Sequence, residues 1–175
     1  MTAARRTVQI GYVVSDLERA CERFHDAFGI GPFLMIPPRP RPNVRHHGAP
    51  LDGELVTAAA LAQSGDVMIE LLCQHSQVPS AYRDMFAPGE QGLHHVAFWT
   101  EDYRADCLAY EASGFPIAME MEFREGLHVA YVDTRAELGH MVELLPRHPS
   151  ITAVFETVRE AAAAWDGTDL LRPLR

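Results

Sequence analysis

Cations are scarce in this sequence. Lys plus Arg total 15 against 24 Asp plus Glu, a formal net charge of −9. Binding to a phosphate backbone needs clustered cations, so the chain is not read as a nucleic-acid-binding protein. The one dense basic stretch, Arg39, Arg41 and Arg45, is threaded with prolines. It reads as a surface loop, or as a greeting for an anionic substrate. Cysteines are few: Cys21, Cys73 and Cys107, an odd count whose spacing fits no zinc motif and no disulfide framework. That points to a reduced, intracellular setting. Long apolar runs are missing as well. No segment approaches the roughly 20 residues that span a bilayer, and Met1 to Val14 shows no cleavage pattern. The expectation is a cytoplasmic protein with no membrane partner.

What is present suits one well-buried core. The chain has 175 residues and 47% hydrophobic content, ample for a single domain and short for two. Val8 to Val14 is a β-branched run and reads as a strand. Leu17, Ala20, Cys21, Phe24 and Phe28 follow at helical spacing, capped by Ser15 or Asp16 and ended by Gly29 and Gly31. Phe33 to Ile36 reads as a strand. Pro37 to Pro50, with five prolines and the pair His46-His47, is expected to be irregular and long enough to form a lid. Leu55 to Gln63 and Asp66 to Cys73 read as two strands joined at Ser64-Gly65, followed by a short helix over Ser80 to Phe86. The pattern then restarts. Leu93 to Thr100 reads as a strand, and a helix runs to Ser113 after Glu101-Asp102. Three more strands are expected over Ile117 to Glu122, Leu127 to Asp133 and His140 to Leu145.

The two halves can be laid over each other. Gln9-Ile10-Gly11-Tyr12 falls on His95-Val96-Ala97-Phe98, and at the same spacing Asp16 meets Asp102 and Cys21 meets Cys107. The closing strands match too, Ile69-Glu70-Leu71-Leu72 against Val142-Glu143-Leu144-Leu145. A repeated supersecondary unit in the same order implies two βαβββ modules. The expected fold is α+β: a cupped, half-open mixed sheet with helices outside. The domain spans 7–148, with one module over about 7–88 and the other over about 92–148, then a C-terminal helical extension over 149–175. In that extension Ile151, Val154, Phe155, Val158 and Ala162 sit at helical spacing, to pack on the domain or on a second subunit.

Alternation sorts the strand residues by face. Each of four strands has one wholly apolar face and one face with a single polar group: Gln9, Glu70, His95 and Glu143. A lone carboxylate within an apolar strand is costly to bury unless paired. Singly, each has a plain reading: the two glutamates face solvent, and His95 is a satisfied core histidine. As a repeat-related set, the four converge, and one imidazole nitrogen with carboxylate oxygens suits a divalent ion. Val13, Met68, Leu72, Trp99, Met141 and Leu145 share those faces and are expected to line an apolar pocket.

The segments Ile10 to Leu17, Ile69-Glu70-Leu71-Leu72, Gly92 to Phe98 and Val142-Glu143-Leu144 resemble the vicinal oxygen chelate superfamily. That superfamily includes glyoxalase I, methylmalonyl-CoA epimerase and the extradiol dioxygenases. The resemblance covers about residues 7–146 and is nearest in motif to glyoxalase I and the epimerase. It implies that Gln9, Glu70, His95 and Glu143 hold one divalent ion (Zn, Ni, Co or Mn). Glu143 or Glu70 would move a proton beside a carbonyl through a metal-stabilised enediolate or enolate. His94 would be structural. The superfamily's first ligand is more often His, and ring-cleaving oxygenases hold iron by two His and one Glu, which Gln9 disfavours here. Val13 stands where glyoxalase I has a basic residue for glutathione, and Gln74 replaces its Asn. The epimerase's third-strand glutamate falls near Thr57. The implied protein is therefore a metal-dependent lyase or isomerase acting on a largely hydrophobic carbonyl compound, and a homodimer. The rival is a non-catalytic small-molecule-binding protein of the bleomycin-resistance type. His46 and His47 are candidate lid residues.

Overall fold

The computed structural model describes residues 5–123 and 126–174. The first half runs β1 (Thr7–Val13), α1 (Leu17–Phe28), β2 (Phe33–Pro40), β3 (Val44–His46), β4 (Ala49–Pro50), β5 (Val56–Ser64), β6 (Val67–Gln74) and α2 (Ala81–Met85). The second runs β7 (Gly92–Thr100), α3 (Tyr103–Ala112), β8 (Ile117–Glu122), β9 (His128–Val132), α4 (Arg135–Leu138) and β10 (Met141–Pro146). Then come α5 (Pro149–Ala163) and β11 (Leu171–Pro173).

The repeat is legible in the topology. All the strands belong to one mixed, open sheet ordered β11-β2-β5-β6-β1-β7-β10-β9-β8-β3-β4. Read outward from the centre, each half has the same order: first strand, last strand, third, second. β1 and β7 pair antiparallel where the halves meet, and each pairs parallel with its own closing strand, β6 or β10. The helix starts repeat as well. Asp16 accepts a hydrogen bond from the Arg19 N–H at 3.1 Å, and Asp102 from that of Ala105 at 3.0 Å. Each thereby satisfies a helix-end donor that has no partner inside the helix.

α1 and α3 cover the outer face. Cys21 packs with Phe33, Ile69 and Leu71 in one buried cluster, and Val132, Val142 and Leu144 form another beside Cys107 and Tyr110. These are the apolar strand faces, removed from water by amphipathic helices. The opposite face forms the cup. Its cluster includes Met68, Leu72, Met141 and Leu145, together with Phe155 and Val158 of α5.

Two expectations are corrected. Pro37 to Pro50 is not irregular: β2 continues to Pro40, and β3 and β4 pair within the same stretch. The prolines are accommodated because the β2–β5 register shifts between Ile36 and Arg39, where Pro37 and Pro38 lie. β11 covers only Phe33 to Met35 on the other side. Proline, lacking an N–H, is tolerated at such bulges and open edges. The C-terminal stretch holds the expected helix packed on the domain, α5, which lies within the cup against β5, but it is not helix alone: β11 adds a parallel strand to the sheet.

Candidate functional site

The site is set by two rows of residues running across the sheet. In the first, Leu61, Glu70, Gly11, His95 and Met141 are successive partners on β5, β6, β1, β7 and β10. In the second, Met68, Gln9, Ala97, Glu143 and Tyr131 are successive partners on β6, β1, β7, β10 and β9. Each row has one small residue near its middle, Gly11 or Ala97, and this opens room for the polar tips. At Gly11 the requirement is stringent, since a Cβ there would lie 1.9 Å from Cε1 of His95. The imidazole lies flat over the glycine.

Glu70, His95 and Glu143 each offer a ligand atom, all within 4.8 Å of one another. His95 Nε2 is 3.3 Å from Glu143 Oε2 and 3.5 Å from Glu70 Oε2. Neither contact has hydrogen-bond geometry: His95 Nε2 and Glu143 Oε2 are buried with no partner. Gln9, 4% exposed, lines the same cavity.

A β-bulge fixes the histidine's chemistry. The β1–β7 register shifts between Gly11 and Tyr12, which face His95 and Leu93, so His94 is the extra residue. It turns toward His95 instead of away. His94 Nε2 lies 3.1 Å from the Ala81 carbonyl and His94 Nδ1 lies 3.0 Å from His95 Nδ1. The carbonyl can only accept, so His94 carries its proton on Nε2 and accepts at Nδ1. His95 must then donate from Nδ1, which aims the Nε2 position at the two carboxylates. This is the arrangement by which a hydrogen bond behind a histidine sets which nitrogen binds in front.

The electrostatics agree. Burial raises the Glu70 carboxyl from 4.5 to about 7, with help from the charge of Glu143 and against His95 and Arg41. Burial opposes a charged His95, but Glu143 and Glu70 outweigh it and raise its pKa. Burial and the neighbouring His95 hold His94 well below the usual histidine value. The two carboxylates thus favour positive charge at His95, which a proton or a metal ion at Nε2 would supply.

The cavity above has a volume of about 820 Å³. Met68, Leu72 and Leu145 line it as expected; Val13, Trp99 and Met141 do not. Val13 borders an outer groove beside α1, Trp99 packs on Phe155 with ring centres 4.7 Å apart, and Met141 is fully buried. His46 and His47 stand away from it, each with Nε2 on Asp84 Oδ2 of α2, at 3.1 and 3.0 Å. They clamp the proline-rich arm to α2, and the arm's cavity-lining residues are Arg39 to Asn43. Gln74 is held in the turn before α2, donating to the Val78 carbonyl at 2.8 Å and accepting from Ser80 Oγ at 2.6 Å.

Sequence reasoning missed Tyr82, Tyr131 and the part that α5 takes in the cavity wall. The Tyr82 hydroxyl donates to that of Tyr131 at 3.2 Å. Burial raises both phenols far above their usual range, so both stay neutral, and both residues line the cavity. Extending the strand alternation from Glu143 to its partner Tyr131 finds this residue. Ile151, Val154 and Phe155 of α5 form a further wall.

The chain matches the Glyoxalase/Bleomycin resistance protein/Dioxygenase superfamily over residues 8–131 and belongs to that family. Among solved structures it is similar to methylmalonyl-CoA epimerase from Mycobacterium tuberculosis. The identity is 16% with a TM-score of 0.55, over 87% of this chain and 97% of that one. A hypothetical protein from Bacillus halodurans C-125 is 17% identical with a TM-score of 0.57, over 83% and 96%. Methylmalonyl-CoA epimerase in complex with methylmalonyl-CoA and NH4+ is 18% identical with a TM-score of 0.51, over 84% and 97%. At these identities the likeness is one of fold. No curated protein sequence matches the chain.

Proposed function

We propose that this protein is a metal-dependent lyase or isomerase of the glyoxalase or epimerase kind, moving a proton next to a carbonyl of a largely hydrophobic substrate. The observation that carries the reading is the orphaned pair His95 Nε2 and Glu143 Oε2, buried with Glu70 at the floor of an apolar cavity. A buried polar atom without a partner costs about 1–3 kcal/mol, and a cation placed among the three groups removes that cost. The donor set of one imidazole and two carboxylates, with Gln9 beside them, fits zinc, nickel, cobalt or manganese. Bound there, the ion would act as a Lewis acid toward substrate oxygen atoms.

The chain's own residues supply the rest. Glu143 is the proposed proton carrier, 4% exposed and hence sheltered from bulk water. Glu70 stands beside it as a second carboxylate that would help to hold the ion and is the alternative proton carrier. The Tyr131 hydroxyl, at the cavity wall, would donate to an oxygen on which negative charge develops. Met68, Leu72, Val154 and Phe155 keep the reacting carbon in an apolar environment.

The test is solvent deuterium incorporation. Protein loaded in turn with zinc, nickel, cobalt or manganese is incubated in deuterated water with a panel of acyl thioesters and 2-hydroxy carbonyl compounds, and mass spectrometry follows deuterium at the carbon beside the carbonyl. Exchange that needs both the ion and Glu143 supports the reading. Binding of the same compounds with no exchange under any ion favours the non-catalytic binding protein instead.

A further inference from the structure

The cavity mouth carries two guanidinium groups that the proton chemistry does not use. Arg39 pairs with Thr57 across the β2–β5 ladder, and the Arg41 N–H bonds the Leu55 carbonyl at 2.8 Å. The chain is extended between them, so alternate side chains share a side, and both line the cavity that holds Gln9, Glu70 and Glu143. Arg41 is built in: its Nε donates to Oγ1 of Thr57 at 2.5 Å, and Thr57 is fully buried. That bond leaves the outer edge of the fork unused. Among the described residues neither Arg39 nor Arg41 forms an ion pair, although Glu122 lines the same mouth. Burial, then the charge of Arg41, lowers the Arg39 pKa. Two neighbouring cations thus line the cavity whose floor carries Glu70 and Glu143.

Like charges held together without a counter-ion are destabilising on their own, and a planar guanidinium fork matches the oxygens of an oxyacid. Thr57 adds to this: it fixes Arg41 through a hydroxyl that carries no charge, so the guanidinium stays unneutralised. We propose that Arg39 and Arg41 form an oxyanion-binding subsite at the cavity mouth, and that the substrate carries an anionic oxyacid group, a carboxylate or a phosphate ester. Its apolar body spans the cavity and its carbonyl lies over Glu70, His95 and Glu143. The last clause rests on the proposed function; the anion subsite stands without it.

Isothermal titration of the metal-loaded protein with three probes sharing one apolar tail tests this: 5-phenylpentanoate, 4-phenylbutyl phosphate and the neutral 5-phenylpentanamide. At least one acid should bind about tenfold or more tighter than the amide, the scale of one charge-assisted hydrogen bond. The tighter of the two identifies the oxyacid. Arg39→Gln and Arg41→Gln should each pull the acid toward the affinity of the amide and leave the amide unchanged, which also reports an intact cavity. In the unsubstituted protein the acid's affinity should fall with added salt while the amide's does not. The preference should persist after the ion is stripped with a chelator, because it comes from the arginines. Equal binding of acids and amide overturns the proposal. So does a preference that survives the double substitution, or one that vanishes with the ion. Failure of the metal reading itself would show separately, as absence of bound ion in a protein that still prefers the acid.

Discussion

Gly11→Ala is a single-methyl change with consequences that can be worked from the geometry. The new Cβ would lie 1.9, 2.2 and 2.5 Å from Cε1, Nε2 and Nδ1 of His95, all inside van der Waals contact. The ring has little room to yield. Its Nδ1 is bonded to His94 at 3.0 Å, and the Tyr131 ring centre is 5.2 Å from its own. Overpacking a dense interior costs about 1–3 kcal/mol, and breaking the His94 bond leaves a buried acceptor unpaired at about another 1–3 kcal/mol. Taken together, a loss of about 2–6 kcal/mol is expected, or about 4–24 °C in melting temperature for a domain of this size. The sharper readout is ion affinity. Disturbing what orients a ligand histidine costs about 10–100-fold in metal binding, so competition against a chelator should show Gly11→Ala weaker by at least that factor. If Gly11→Ala melts with the unsubstituted protein and binds zinc or nickel equally well, the His95 ring does not lie over Gly11, and the site geometry is wrong.

Four further outcomes are expected. Glu143→Gln keeps the size and an oxygen donor but removes the base, so deuterium exchange should fall by at least about 10²-fold with the melting temperature little changed; an unaltered rate makes Glu143 a ligand only. His94→Phe removes the bond that sets the His95 tautomer and should weaken ion binding by about 10–100-fold, while Gln at the same position, able to accept, should recover part of the loss. Because Glu70 rises from 4.5 to about 7, the folded ion-free protein keeps a proton that the unfolded chain has released. Its stability should therefore drop as pH climbs from about 4.5 to about 7, the reverse of a salt-bridged carboxylate. Ion binding displaces that proton, so calorimetry in buffers of different ionisation heat should show proton release at pH 6 that shrinks above pH 7, and a release independent of pH would exclude Glu70 as the group. Saturating the site at about 100 times its dissociation constant should add about 2.7 kcal/mol of stability, which a chelator removes in a thermal scan.

Much of this was legible because strands have a period of two. Alternation alone placed Gln9, Glu70 and Glu143 on one face, and the internal repeat placed them near one another. Where the period breaks, the sequence reading stopped short. His94 was assigned only a structural part, because a bulge, not alternation, turns it toward His95. The proline-rich arm looked irregular because its prolines hide a strand whose bulge absorbs them, and so Arg39 and Arg41 were read as a surface loop while His46 and His47 drew the attention. The apolar stripe of α5 announced a helix without saying which surface it meets. Its entry into the cup explains why Trp99, expected in the pocket wall, instead packs behind Phe155. Among the described residues Arg41 has no carboxylate partner and is held instead by Thr57, which only the folded register brings beside it.

The central claim is that Glu70, His95 and Glu143 hold a cation. Among the described residues no helix is long and apolar enough to cross a membrane. The chain is equilibrated with zinc, nickel, cobalt or manganese, dialysed, and analysed for metal by plasma mass spectrometry, beside His95→Ala prepared identically. About one tightly held ion per chain, lost in His95→Ala, is the predicted result. No retained ion under any of the four metals, or equal retention in the variant, would contradict the account.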